Sequence, residues 1–555
     1  MIRLNLTEIA WRPDHMNDVQ RRLLSLLKEI DDICQANGIE YYIDGGTALG
    51  AIRHRGFLPW DDDADIMLTR DNWEKFRRVM QQHPRPDRKL EDLYSNNEYT
   101  MVYGRYCDTS TTCILRTSMI DQFQSGLFID MFILDPVPDT PESKKEYFDI
   151  LHGYCEYLNP YYYDDIVGVN EWYDYFRKLG AQQGRKAVIE FVEKRLFSYP
   201  DQDGMTYGFR YDRGSWFYPR DVVGHGRRVM VEGISLPIAA KPEDYMRIHY
   251  GDHWQMIPSA TEAETHNVAI DLNVPYQTFT ENYMGLINKK KSVQVYNRQH
   301  DLAVRGRKAS AVVDAGNYNI SAKLFARLID RRLEKLGTAP MALLQARRYD
   351  ELRTLLGNYY DMQLNRWFLF YKVFIPLNDE LLFCALYLML IDGLYSKADK
   401  ILTLRRQQEA PLTDELRAVE DIIASLRRCV ICFEQSDWRQ ALQISNDQLR
   451  FHPDIHDFTE NALCAQAGIA LEESDAALAN TLIRQIRAQE ENVLCRDNVQ
   501  AALAMLEARF TAGEEKEQAL LVLRDLQENS RNGMLRLAAM DFLNNTNEIG
   551  GAVHE

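Results

Sequence analysis

The chain has 555 residues, of which 46% are hydrophobic, 11% aromatic and 26% charged. That is a globular composition, and it excludes disordered, collagen-like and coiled-coil-rod classes. With 82 acidic against 65 basic residues the net charge is −17, which argues against a general nucleic-acid binder, because phosphate backbones attract basic surfaces.

At about 100–200 residues per domain, the length suggests about three domains. The N-terminal MIRLNLTEIAWRP lacks the basic patch and apolar run of a signal peptide. The longest apolar run, Leu381 to Ile391, lies between Glu380 and Asp392. It is shorter than the roughly 20 residues of a membrane span and predicts a buried helix. The nine cysteines are scattered, which suggests reduced thiols in a cytoplasmic protein, or one peripheral at the inner face of a membrane. Cys429 and Cys432 form a C-x-x-C, but no further pair stands at zinc-ligand spacing. They read as two small apolar residues one helical turn apart.

In chain order, Val19, Leu23, Leu26, Leu27, Ile30 and Cys34 recur at helical spacing, and Gly38 sits at the C-cap. Tyr41 to Ile43 is β-prone and runs into Asp44-Gly45-Gly46. Thr47 to Arg53 predicts a short helix with Thr47 near its start. Asp63 to Leu68 predicts a strand, and Asp71 a cap for a helix through Trp73, Phe76 and Met80. Tyr99 to Tyr106 and Leu127 to Leu134 predict two more strands, the second ending at Asp135-Pro136. Strands alternating with helices imply a mixed sheet. Residues 142–200 read as helical and Tyr-rich, and 205–260 as loop-rich. Lys289-Lys290-Lys291 and the polar stretch to about 315 read as a solvated connector.

Beyond about 320, glycine thins out and helical periodicity dominates. The segments ARRYDELRTLL, GLYSKADKILT, EQSDWRQALQI, EESDAALANTL and GEEKEQALLVL share a polar turn leading into a small or apolar anchor. The anchors Leu352, Ala398, Ala441, Ala479 and Ala519 are spaced by 46, 43, 38 and 40 residues. That spacing fits stacked helix pairs resembling degenerate tetratricopeptide-type repeats, with an irregular bundle as the competing arrangement. The expected fold class is α+β. A mixed-sheet domain is expected at 1–300, a connector at 301–335 and an all-α solenoid-like domain at 336–555.

The chemistry concentrates in YYIDGGTALGAIRHRGFLPWDDDADIML, residues 41–68. Gly45-Gly46-Thr47 joins a strand to a helix, where backbone N–H groups and the helix N-terminus suit a phosphate. Alone the turn is a weak signal, since Gly-Gly before a helix is also a common tight turn. Asp61, Asp62, Asp63 and Asp65 follow within five positions. On an extended strand Asp63 and Asp65 share a face, with Asp61 beside them. Like charges this close call for a compensator, and Mg²⁺ prefers hard oxygens shared with substrate phosphates. A solvated acidic loop is the bland alternative, but Ile66-Met67-Leu68 sets the acids at the mouth of a core strand. Asp130 lies inside Phe128-Ile129-Asp130-Met131-Phe132, where burial is costly unless it is paired or liganded. It reads either as a structural acid or as a third carboxylate beside the other two.

This arrangement resembles the nucleotidyltransferase fold. More closely, GGTALGAIRHRGFLPWDDDADI resembles the LicD-family signature. GLFIDMFILDPVPD, VEGISLPI and PEDYMRIHYGDHW follow in the family's order, with Pro258 and His266 beyond them. The resemblance covers about residues 20–270 and leaves out the helical C-terminal region.

The resemblance implies transfer of a phospho-alcohol, such as phosphocholine, from a CDP-linked donor to a sugar hydroxyl of a surface glycan or its precursor. By it, Gly45, Gly46 and Thr47 would cradle the donor phosphate. Asp63 and Asp65 would bind Mg²⁺, or Mn²⁺ in its place, with Asp61 in support. Asp130 would complete the metal and catalytic carboxylates and help deprotonate the acceptor. Arg53 and His54 would either neutralise charge on the pyrophosphate or pack the loop. Arg105 and Asp108, in YGRYCDTST, match a further family motif, and His266 would line the site. Trp60 would stack on the base or pack under the acidic loop. The implied partners are the CDP-linked alcohol and the glycan, with the helical repeats available for a protein partner. Two other readings stay open: a nucleotidyltransferase acting on a small alcohol or antibiotic, and a non-catalytic scaffold built on the repeats. His249 and His253 stand four apart on a predicted helix, but without an acid at known geometry they read as helix-face residues. Tyr157 to Tyr163 reads as a packed turn or a carbohydrate-stacking surface.

Overall fold

The computed structural model describes residues 16–58, 60–114, 126–158, 171–196, 199–210, 216–251, 254, 269–283, 336–357, 359–360, 378–407, 411–489, 497–529 and 536–544. The chain divides into two compact units. One comprises Ala10–Trp254 with Thr265–Phe325, the other Ala326–Glu555 with Met1–Ile9 and Gln255–Glu264. The connector expected at 301–335 lies outside the described residues, as do His253, His266, Cys495 and residues 159–163 of the tyrosine cluster.

The first unit opens with α1 (Asp18–Asn37), started by a capping box between Asn17 and Gln20 and stopped by Gly38 in the left-handed region. Its stripe of Leu23, Leu26, Leu27, Ile30 and Cys34 is buried. β1 (Tyr42–Ile43), α2 (Gly45–Arg53), β2 (Asp65–Thr69), α3 (Arg70–Gln82), β3 (Arg88–Glu91), β4 (Gly104–Asp108), β5 (Thr112–Ile114) and β6 (Leu127–Pro138) follow. Next come α4 (Pro141–Leu158), α5 (Glu171–Gln183), α6 (Arg185–Leu196), β7 (Met205–Arg210) and β8 (Phe217–Pro219). Then α7 (Arg220–Val223), β9 (Arg227–Val231), β10 (Ile234–Ile238), α8 (Pro242–Tyr250), β11 (Ala269–Asp271) and α9 (Tyr276–Tyr283) complete it.

The main sheet runs β1-β2-β6-β4-β3, with β7 also on β6 and β8 on β7. β6 is the axis. It is parallel to β2 through Asp65↔Asp130 to Thr69↔Leu134, and antiparallel to β4 on its other side. Leu127 to Val137 are all buried, so the strand shows a continuous apolar run rather than alternation. β6 outruns its expected end at Leu134, because β7 pairs Ile133 to Pro138. β2 ends opposite Leu134, which leaves room for Pro136 on a strand paired from one side only.

Other boundaries also shift. The expected strand from Asp63 begins at Asp65, because Asp61 to Ala64 are irregular. The strand expected from Tyr99 begins at Gly104. α2 begins two residues before the expected Thr47 and is capped by Asp44, and Thr69, not Asp71, is the N-cap of α3. The stretch read as loop-rich carries β7 to β10 and α8. Its strands are short, and the β9–β10 hairpin turns on Glu232-Gly233, both at positive φ (47° and 83°), the two-residue turn that matches strand twist.

A buried ion network braces the sheet. Arg210 bonds Asp135 at 3.0 Å and Glu193 at 2.8 Å, and Arg70 bonds Glu193 at 2.9 Å. The Tyr147 hydroxyl donates to Asp135 at 3.0 Å. Four elements, α3, α4, α6 and β7, thereby converge on β6.

The second unit is helical. Its helices come as α10 (Ala339–Gln345) with α11 (Tyr349–Leu356), α12 (Asp379–Ile391) with α13 (Tyr395–Arg406), and α14 (Asp414–Glu434) with α15 (Trp438–Leu449). α16 (His456–Glu472) with α17 (Ala476–Gln489) and α18 (Asp497–Phe510) with α19 (Glu514–Asn529) follow. Every repeat anchor lies on the second helix of a pair and is buried: Leu352, Ala398, Ala441, Ala479 and Ala519. The polar turn before each holds one residue in the left-handed region: Arg347, Gly393, Ser436, Ser474 and Gly513. α12 is the expected buried helix, with Leu381, Leu382, Cys384, Ala385, Leu388 and Met389 inside. Cys429 and Cys432 are buried on α14, and the described cysteines are free thiols. Among the described residues, no helix is long and apolar enough to cross a membrane.

Candidate active site

The site is built on the turn from β1 into α2. Gly45 has φ +51°, a conformation open to glycine with little strain. A Cβ on Gly45 would lie 2.9 Å from Asp65 Oδ2, and one on Gly46 would lie 2.6 Å from Asp61 Oδ2. Two carboxylates therefore press on the first turn of α2, where the helix dipole is positive. The Asp44 N–H donates to the Asp65 carbonyl at 3.0 Å, and the Asp65 N–H donates to Thr47 Oγ1 at 2.9 Å. Helix and strand are thus locked at the carboxylate.

Asp65 continues into a row across the sheet. It stands in register with Asp130 on β6, which stands in register with Arg105 on β4. Register partners share a face. Arg105 Nε donates to Asp130 Oδ1 at 2.7 Å, and its guanidinium lies 4.0 Å from the Phe128 ring centre. Burial works to lower the Arg105 pKa, yet Asp130, Tyr103 and Tyr99 hold it well above the ordinary value. The buried acid within the apolar strand therefore has a partner, one strand away.

Asp61 is held from a distance. The Gln20 amide on α1 donates to the carbonyls of Leu58 and Asp61, at 3.1 and 3.0 Å. Arg53 is buried and donates to the Trp254 carbonyl at 3.1 Å. Burial lowers its pKa to about 10, against Tyr250 and Asp61, which raise it, so it stays charged. His54 differs: burial, then Arg53, lowers its pKa to about 3. It is uncharged at neutral pH and packs edge-on against Trp60, ring centres 5.9 Å apart. Asp108 lies away from this turn, bonded by Arg22 at 2.6 Å.

Asp44 and Tyr245 were invisible to motif spacing, and His249 was read from it only as a helix-face residue. Asp44, the α2 N-cap, is buried, and its Oδ2 has no hydrogen-bond partner among the described residues. The Tyr245 hydroxyl donates to Asp44 Oδ1 and accepts from the Gly45 N–H at 3.2 Å. His249 Nδ1 lies 2.7 Å from the Tyr218 hydroxyl, and the His249 ring stacks 4.6 Å from Trp216. Burial lowers its pKa to about 4. The signal was present in PEDYMRIHYGDHW, but the sequence could not say which of its residues reach back some 200 positions to Gly45.

Burial pushes the Asp44 carboxyl up to about 7, although the Tyr245 hydroxyl and Gly45 amide lower it. A carboxyl raised in the folded state favours folding below its unfolded value, near 4, and loses that contribution as pH rises towards 7. Asp44→Asn cannot titrate. Its melting temperature relative to the parent is expected to climb from pH 4 to pH 7.5 and then level off. A difference that stays flat across that range in metal-free buffer contradicts the burial effect.

Among the described residues, no group of three or more His, Cys, Asp or Glu side chains is gathered to hold a metal ion. The donors at the α2 turn are nonetheless of the right kind. Hard carboxylate oxygens of Asp61 and Asp65 both abut Gly45-Gly46, and Mg²⁺ is usually held by one or two carboxylates plus substrate phosphates.

Residues 38–149 match the family model described as LicD/FKTN/FKRP, nucleotidyltransferase domain. This stretch is a LicD domain. It contains the α2 turn, all four acids and Arg105. Lipopolysaccharide cholinephosphotransferase LicD of Haemophilus influenzae (strain ATCC 51907 / DSM 11121 / KW20 / Rd) is 24% identical over 280 residues, covering 45% of this chain and 96% of that protein. Ribitol 5-phosphate transferase FKRP of Homo sapiens is 34% identical over 61 residues, covering 11% of this chain and 12% of that protein. No solved structure matches the chain. The LicD domain and its bacterial relative make this a transferase of phosphorus-containing groups.

Proposed function

We propose that the chain transfers a phospho-alcohol, phosphocholine or a close analogue, from a CDP-linked donor to a sugar hydroxyl of a cell-surface glycan or its precursor, with Mg²⁺ or Mn²⁺ bound. The observation that carries this reading is the pressing of Asp61 and Asp65 onto the Gly45-Gly46 turn, inside the LicD domain.

The Gly45 N–H is committed to Tyr245, so the donor phosphate meets the amides of Gly46 and Thr47 at the positive end of α2. Asp61, Asp63 and Asp65 would hold the cation, which would neutralise charge on the donor pyrophosphate. The acceptor oxygen attacks the phosphorus that carries the alcohol, and the bond to the bridging oxygen of CMP breaks. Asp130 takes the hydroxyl proton, and Arg105 fixes the direction of its carboxylate. Arg53 answers the charge left on CMP, while His54, uncharged, packs the loop.

The test is turnover of CDP-choline and CDP-ribitol with Mg²⁺ and sugar acceptors, read by mass. The expected products are CMP and an acceptor carrying the phospho-alcohol. Release of pyrophosphate from CTP, with a nucleotidyl adduct, would assign the chain to the nucleotidyltransferase reading. No product from any CDP-alcohol would sink the proposal.

A further inference from the structure

We propose that the second unit carries a docking groove for an extended, Lys- or Arg-bearing segment of a partner protein. A cavity of about 950 Å³ opens beside α10, α12 and the start of α14. Four aromatic side chains line it: Tyr349, Phe383, Tyr387 and Phe451. α12 explains two of them, because it buries its leucines in the unit and leaves Phe383 and Tyr387, one turn apart, on the groove side. Phe451 is 78% exposed, although it caps no core and follows a polar helix end.

The charge on this surface is one-sided. Its lining holds Asp379, Glu380, Glu415 and Asp454 against a single basic residue, Arg347. The fold itself answers two of these acids. Arg405 grips Asp379 at 2.9 and 2.8 Å, and Asp454 takes Arg347 at 3.1 Å and the Tyr349 hydroxyl at 2.7 Å. Glu380 and Glu415 are exposed and have no ion-pair partner among the described residues. A surplus of carboxylate beside aromatic faces complements cationic side chains, which pair with the first and lie over the second. The two glutamates stand on different helices, α12 and α14. That separation suits several cations spaced along a chain better than one ammonium headgroup.

The probe is a fluorescein-labelled nonapeptide of three Lys-Leu-Ser repeats, with a Glu-Leu-Ser peptide as its match, titrated into the full chain by anisotropy. The Lys peptide is expected to bind and the Glu peptide not. The Glu380→Gln/Glu415→Gln pair and Phe451→Ala are each expected to weaken binding about fivefold, the worth of two exposed ion pairs or of one cation–π contact. The control Glu472→Gln/Glu528→Gln removes the same charge elsewhere on the unit and is expected to change nothing. All these positions are exposed, so the variants should fold, and unchanged melting temperatures check this. The proposal is overturned if the parent does not bind the Lys peptide. Equal weakening by the control pair, unaltered binding by the groove variants, or displacement of the peptide by millimolar choline would each also overturn it.

Discussion

Asp65→Asn is expected to cut transfer by about 10²–10³-fold in kcat/KM, the scale on which removing one fixed electrostatic partner of the transition state acts. The variant keeps the shape of the side chain. It should keep the fold too, because the ties that lock β2 to α2 use the Asp65 backbone: its carbonyl accepts from Asp44 and its N–H donates to Thr47. What disappears is the negative charge that abuts Gly45 and stands in register with Asp130. Steady-state CMP release, with circular dichroism and melting as fold controls, measures this. Extra Mg²⁺ should not restore the rate. A variant that folds and turns over within twofold of the parent would remove Asp65 from the site.

The companion Asp63→Asn separates two geometries. Asp63 was expected beside Asp65 on one strand face, but it lies in the irregular segment before β2. A smaller loss than at Asp65 follows if the segment can readjust around the missing charge. Equal losses would mean that the loop is as rigid as the strand.

The parts of this fold that were legible in the sequence are local. The helix pairs showed because each repeat carries its own signal: a residue in the left-handed region, then a buried anchor a few positions on, as in Ser436 before Ala441. Asp130 stood out because an acid inside an apolar strand needs a partner. Which partner it takes was not legible, since Arg105 reaches it only through strand register. The same holds for the site's supports. Gln20 steers Asp61 from 41 positions away, and Tyr245 secures Asp44 from 201 away. Local pattern records that a turn and an acid exist. Only the sheet order decides which of them meet.

Asp135→Ala is expected to cost about 3–5 kcal/mol, the usual penalty for removing one member of a buried charge pair. Asp135 is fully buried, and so is nearly all of Arg210. Burial holds the Asp135 carboxyl above its ordinary value, although Arg210 and Arg70 pull it down. Two guanidinium groups share this acid, at 3.0 and 3.5 Å, and alanine would strip an acidic partner from both. In calorimetry the transition of the first unit should fall by roughly 10 °C, while that of the helical unit stays in place. A paired exchange, Asp135→Leu with Arg210→Met, should recover much of the loss, because an apolar pair of similar volume leaves less charge stranded. A single alanine variant that melts within 2 °C of the parent would show that water or backbone already satisfies the arginines. The site should register the same change. Asp135 holds β7 to β6 five residues beyond Asp130, so loosening this brace should lower transfer at temperatures where the chain is still folded.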